Sequence, residues 1–151
     1  MPIRLAARAI IIQDNRLLLV NAYGPSTPSD LWCAPGGGVE AHQSLPDNLA
    51  REVYEETGLS VSVGSLALVN EFHAPEKNFH QIELFFRCTI IDGTLRDDWQ
   101  DPEAIVHERR FFSQNELLDL HLRPLSLPRV AFDQDAAVTY DALELLVPPK
   151  R

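Results

Sequence analysis

Apolar and polar positions along the chain mark strands before anything else. Leu5 to Ile12 and Arg16 to Val20 are apolar runs joined by Gln13-Asp14-Asn15, residues that tolerate tight turns, and they predict a two-stranded hairpin. A glycine- and proline-bearing loop, Gly24 to Asp30, follows. Val61 to Glu71 and Gln81 to Ile91 are strand-like again, the latter carrying Leu84-Phe85-Phe86 and ending at the turn signal Asp92-Gly93. Between them, His73 to His80 reads as a short polar loop. Asp97 to Glu103 is acidic and poorly patterned, so it is expected to be a solvated loop. Arg109 to Phe112 predicts a short strand, and a brief helix follows from near Ser113, with Glu116 three residues on as a capping box. In the tail from Pro128, a third helix is predicted around Ala136 to Leu146 on the apolar positions Val138, Leu143 and Leu145, before Pro148-Pro149 ends regular structure.

The first helix has both ends marked. Ser44 can cap the first turn with Asp47 completing a capping box, Pro46 sits where a missing amide hydrogen costs nothing, and Gly58 supplies the stop. The predicted span is Leu45 to Thr57. At about 100° per residue, Leu45, Leu49 and Val53 form an apolar stripe with Ala50 beside it, and Glu52, Glu55 and Glu56 share the neighbouring face. Glu56 projects between Leu45 and Leu49, at the edge of the buried side. Glutamates clustered on a helix are ordinarily solvated surface. A carboxylate at a buried edge beside two others suffers both desolvation and like-charge repulsion, and a bound cation relieves them. Hard oxygen donors at this density select Mg²⁺ or Mn²⁺ over zinc. Arg51 is placed to hold one of these carboxylates.

Composition narrows the choice. A chain of 151 residues, 45% apolar, suits one domain over residues 1–151. A net charge of −9 without a long basic cluster argues against stable nucleic-acid binding. With no run of 18 apolar residues and no secretory pattern, a cytoplasmic protein without membrane association is expected. Cys33 and Cys88 sit among apolar neighbours and are expected as buried thiols. The oligomeric state stays open, a homodimer included.

With the glycines Gly36-Gly37-Gly38 ahead of it, the helix resembles the signature of the Nudix hydrolases. It runs Gly37, five residues, Gln43, seven residues, then Arg51-Glu52-Val53-Tyr54-Glu55-Glu56-Thr57-Gly58-Leu59, and eight of the nine specified positions match. Leu31-Trp32-Cys33-Ala34-Pro35 leads into the glycines in the family's manner. The departure is Gln43, where the pattern has glutamate: an amide keeps hydrogen bonds but carries no charge and cannot act as a base. Glu40, eleven residues before Arg51, does not restore the pattern in sequence.

The resemblance implies an α/β fold, an α/β/α sandwich on a mixed sheet. It implies that Glu52, Glu55 and Glu56 ligate Mg²⁺ directly or through water, joined by a backbone carbonyl near Gly37. It further implies hydrolysis of the pyrophosphate bond in a small nucleotide substrate, with Glu52, Glu55, Glu56 and Arg51 as catalytic residues and one of the three glutamates, unspecified, as base. Activity is then expected to fall as acid protonates the carboxylates. ADP-ribose-like compounds and nucleoside triphosphates, oxidised ones included, are the substrate classes; Pro75, sixteen residues after Leu59, resembles a mark of the ADP-ribose branch. Gln43 keeps a second reading open, a nucleotide-binding or regulatory module with weakened catalysis.

Outside the motif, Trp32, Phe72 and Phe79 are candidates to stack on a base, though core roles are commoner for such residues. Arg4 and Arg8 are candidate phosphate contacts set against surface solvation, and His73 and His80 candidate loop ligands. Glu103 and Glu108 are candidates for one more acidic group from a late loop.

Overall fold

The computed structural model describes residues 2–21 and 29–145. Most of the loop expected at Gly24 to Asp30 lies outside the described residues, as do Leu146 and Pro148-Pro149. Strands β1 (Arg4–Gln13) and β2 (Arg16–Asn21) reverse at Asp14 and Asn15, both at positive φ (53° and 61°). Asp and Asn accept this conformation, and a two-residue hairpin turn requires it.

The hairpin then splays. β1 stays paired with β2 only at Ile12–Leu17 and Gln13–Arg16, and along the rest of that edge β3 (Gly36–Gly38) takes over, from Ala6–Gly38 to Arg8–Gly36. Cys33 pairs with Val20 of β2, so the segment from Cys33 to Gly38 is wedged between the two strands. On its other edge β1 runs parallel to β5 (Phe79–Asp92), which is antiparallel to β4 (Ser60–Ala74). β6 (Glu108–Phe112) closes the β2 side. The result is a mixed sheet in the order β6-β2-β1-β5-β4-β7, with β3 beside β1 and β8 beside β4, where β7 is Thr139–Tyr140 and β8 is Glu144–Leu145.

Both faces of this sheet are covered, which is why its central strands read as apolar runs and not as alternation. Ala7, Ala9, Ile11 and Leu18 face Leu49 and Val53 of helix α1 (Leu45–Thr57). Ile10, Leu17, Leu19, Leu68 and Phe85 face Leu117 of α2 (Gln114–Leu117) and Leu127 and Val130 of α3 (Leu127–Phe132). This is the expected α/β/α sandwich. The Ser113–Glu116 capping box forms in both directions, whereas at α1 the Ser44 hydroxyl accepts from the Asp47 amide without a return bond among the described residues.

Three expectations are corrected. The third helix is not at 136–146: it is α3, begun by Pro128 in its first turn, while 139–140 and 144–145 pair in parallel with Leu68–Val69 and Phe72–His73 on the open edge of β4. Their poor helical periodicity left the backbone free to serve that edge. His73 and His80 are not loop residues, because the two strands extend to the pairs His73–His80 and Ala74–Phe79, and Pro75–Lys77 with Asn78 at φ 51° makes the turn. Strand pairing needs backbone groups, and polar side chains at a hairpin end do not prevent it. In the acidic loop, Asp101 is buried: its carboxylate accepts from the amides of Glu103, Ile105 and Val106 and folds the loop around itself. Among the described residues no helix is long and apolar enough to cross a membrane.

That loop finishes α1. Trp99 Nε1 donates to the Glu55 carbonyl (2.8 Å) and Arg109 Nε to the Glu56 carbonyl (2.7 Å), satisfying last-turn carbonyls that the helix cannot pair itself and placing positive charge at the negative end of its dipole. Gly58 ends the helix at φ 76°, and a Cβ there would lie 2.8 Å from the Trp99 ring. Gly58→Ala is therefore expected to lower the unfolding free energy by about 1–3 kcal/mol in urea titration. An unchanged midpoint would contradict this account of the helix end.

Candidate active site

Helix α1 turns two of its three glutamates inward. Glu52 and Glu56 are 9% and 7% exposed, beside the core residues Leu49 and Val53, while Glu55 stays half-exposed. The sequence wheel anticipated the burial of Glu56; that of Glu52 comes from the wedge at β3, which reaches over the helix. The Gly36 amide donates to Glu56 Oε1 at 3.1 Å. Gly36 stands at φ 146°, and a Cβ on it would lie 2.0 Å from the Ala7 carbonyl oxygen, so the backbone can approach only as glycine. Gly37 faces Glu52: its missing Cβ would be 3.1 Å from that carboxylate.

Two arginines frame the carboxylates from opposite sides. Arg51 Nη1 donates to both Glu55 oxygens at 3.2 and 3.3 Å, and Nη2 lies 3.6 Å from Glu52 and 3.5 Å from Glu40. Its Nε is buried without a hydrogen-bond partner among the described residues. Arg8 lies on the far side of β3, where it donates to Glu83 at 2.7 Å and to the carbonyls of Ala34 and Gly36. Arg8 is thus a structural clamp under the glycine segment and not a solvated surface group. The fully buried Asn48 ties the parts together, accepting from the Glu40 amide and from Arg51 and donating to the Gly38 carbonyl.

The electrostatics follow from this packing. Desolvation pushes the Glu56 carboxyl up to about 8, with Glu52 and Asp101 adding to the rise and Arg8 and the Gly36 amide opposing it. Glu52 is raised as well, by burial first and by Glu103 and Glu55, against the pull of Arg51 and Arg8.

Of the residues singled out in the sequence, Gly37, Glu52, Glu56 and Arg51 meet at one place, with Glu55 held beside them on Arg51. Glu103 is near enough to raise Glu52, whereas Glu108 is an exposed β6 residue paired with Asn21. Trp32 belongs to the core, edge-on to Phe112 at 5.0 Å. Phe72 and Phe79 pair with each other at 5.9 Å, and the Arg4 guanidinium lies over Phe79 at 5.8 Å. His73 and His80 pair likewise at 5.9 Å, and His80 contacts Glu71 at 3.2 Å. Asn48, Asp101 and Arg109 escaped the sequence reading, since nothing local distinguishes a buried polar hub from a loop or surface residue. Cys88 is buried as expected and Cys33 only half-buried; both are free thiols, and desolvation pushes them up to about 12 and about 11.

The donor set suits a hard divalent cation: three carboxylates, two of them starved of solvation, around a glycine whose missing Cβ leaves room next to Glu52. Among the described residues no three acidic, histidine or cysteine side chains already converge on one point, since Glu55 faces Arg51.

The NUDIX domain family model matches residues 2–131. The chain belongs to the Nudix hydrolase family. It is 30% identical over 135 residues to an ADP-ribose pyrophosphatase of Methanocaldococcus jannaschii, covering 88% of this chain and 69% of that protein. It is 36% identical over 100 residues to the mouse diphosphoinositol polyphosphate phosphohydrolase 3-alpha, covering 66% of this chain and 56% of that one. The chain therefore spans little more than half of that relative. Among solved structures, a NUDIX hydrolase from Nitrosomonas europaea superposes with a TM-score of 0.72 at 21% identity, covering 88% of both chains. An ADP-ribose pyrophosphatase from Streptococcus suis does so with 0.65 at 24%, covering 95% of this chain and 99% of that one. These likenesses establish that the Nudix fold is shared.

The raised Glu56 group makes folding of this Nudix chain pH-dependent. Between the ordinary carboxyl value of 4.5 and about 8, the folded protein holds a proton that the unfolded chain releases, so this contribution is full below that window and is lost as pH rises through it. In metal-free buffer, wild-type stability relative to Glu56→Gln is expected to fall from pH 5 to pH 8.5 in denaturation experiments. A constant difference between the two proteins would refute the shift.

Proposed function

We propose that the chain is a Mg²⁺- or Mn²⁺-dependent hydrolase of the pyrophosphate bond in a nucleoside diphosphate linked to another moiety, with ADP-ribose-like compounds and nucleoside triphosphates as its substrate classes. The observation that carries the reading is the joint between the glycine segment and α1, where Gly36 holds Glu56 and Gly37 lies against Glu52. Glu52, Glu55 and Glu56, with the Gly37 carbonyl, would hold the ion. Bound there, a divalent cation neutralises the diphosphate and lowers the pKa of a water for attack on phosphorus.

The rest is supplied by the protein. The Gly36 amide and the charge of Arg8 favour the ionised form of Glu56 in a site whose burial opposes it. Arg51 lies between Glu55 and Glu52 and offsets their mutual repulsion, and Glu55 would have to release Arg51 in order to hold an ion with the other two. Such preorganised charge does most of the work in phosphoryl transfer. The archaeal and streptococcal relatives named for ADP-ribose support that substrate class, and the mouse relative extends the panel to diphosphoinositol compounds. We place the protein in the cytoplasm, with which two free thiols accord.

A second reading, a nucleotide-binding module with weakened turnover, rests on Gln43. One experiment separates the two. ADP-ribose, nucleoside triphosphates and a diphosphoinositol compound are incubated with Mg²⁺ or Mn²⁺, and released phosphate or monophosphate is measured. Turnover of at least one compound, reduced on the order of a hundredfold in Glu56→Gln, is expected. No turnover above that variant sinks the hydrolase, and tight calorimetric binding without turnover establishes the module instead.

A further inference from the structure

The departure at Gln43 has a partner in space. Gln43 Nε2 donates to Glu40 Oε2 at 3.1 Å, and the other Glu40 oxygen lies 3.5 Å from Arg51 Nη2. The Glu40 side chain is 61% exposed, yet its backbone is pinned, because its amide donates to the buried Asn48 side chain, which also accepts from Arg51 and grips the Gly38 carbonyl. The turn that makes this possible passes through His42 at φ 69°, which brings position 40 back over the start of α1.

From this geometry we infer that Glu40 is a positioning residue: it supplies to Arg51 the carboxylate that position 43 lacks, and Gln43 is the amide that orients it. Glutamate at both positions would set two like charges against each other where an amide donor now faces an acceptor, so the pair works with one glutamate and one glutamine. Glu40 acts through Arg51, whose remaining contacts are Glu55, Glu52 and the Asn48 side-chain oxygen. Losing Glu40 leaves Arg51 free to bind the two carboxylates more tightly and hold them back from a cation. The inference rests on the metal-binding reading of these glutamates proposed above.

Three variants test it: Glu40→Gln, Gln43→Glu, and the swap carrying both. Mn²⁺ affinity is measured by calorimetry on each folded protein, and kcat and KM on whichever substrate the wild type turns over. Partly exposed charge contacts of this kind are worth up to about 1 kcal/mol, or roughly fivefold. Glu40→Gln is therefore expected to weaken Mn²⁺ binding and kcat by about three- to fivefold with KM little changed, and the swap to restore both, with thermal stability of all three close to wild type. Restoration by the swap separates positioning of Arg51 from a general effect on the loop. Wild-type affinity in Glu40→Gln, or a swap no better than Glu40→Gln alone, overturns the inference while leaving metal binding standing. Failure of the wild type to bind Mn²⁺ overturns the metal reading and this inference with it.

Discussion

The hydrogen bond from the Gly36 amide to the Glu56 carboxylate joins the two halves of the site. It requires a backbone amide to come within reach of a helix side chain from inside a sheet, and this protein achieves that by opening its first hairpin. β1 and β2 separate after two pairs, β3 occupies the gap, and Gly36 touches Ala7 so closely that no side chain fits. The burial of Glu52, the placement of Gly37 and the role of Arg8 beneath the segment all depend on that wedge.

The same packing creates an electrostatic debt. Glu52 and Glu56 lose water without a full complement of counter-charge, since Arg51 is divided among Glu40, Glu52 and Glu55 and Arg8 is paired mainly with Glu83. Asp101, folded inward by three amides, adds another negative charge near Glu56. A fold optimised for stability alone would not keep these groups together; sites where local rules are broken are commonly functional. Arg109 and Trp99 bind the backbone carbonyls of Glu56 and Glu55, and so hold the last turn of the helix that carries these carboxylates.

Local signals carried a large part of this. The boundaries of α1, the turn at Asp14-Asn15 and the cap at Ser113 were legible because each depends on residues within one turn of chain. The signature glutamates were legible through their spacing, and Glu56 through its angle on the helix. What was missed depends on partners distant in sequence. Arg8 is held by carbonyls of a segment more than twenty residues away, Asp101 is buried by its own loop, and Glu40 meets Arg51 through a turn whose φ no pattern announces. The tail strands were read as a helix because an open sheet edge, not their own periodicity, decides their conformation.

We propose Glu56 as a buried acid kept ready for a cation. Mn²⁺ binding followed by calorimetry at pH 7, in buffers of different ionisation enthalpy, counts the protons released. With the Glu56 carboxyl pushed up to about 8, a cation held by it would displace most of one proton, so release close to one proton per site is predicted, falling toward zero above pH 9. Binding with no proton release at pH 7 would contradict the account.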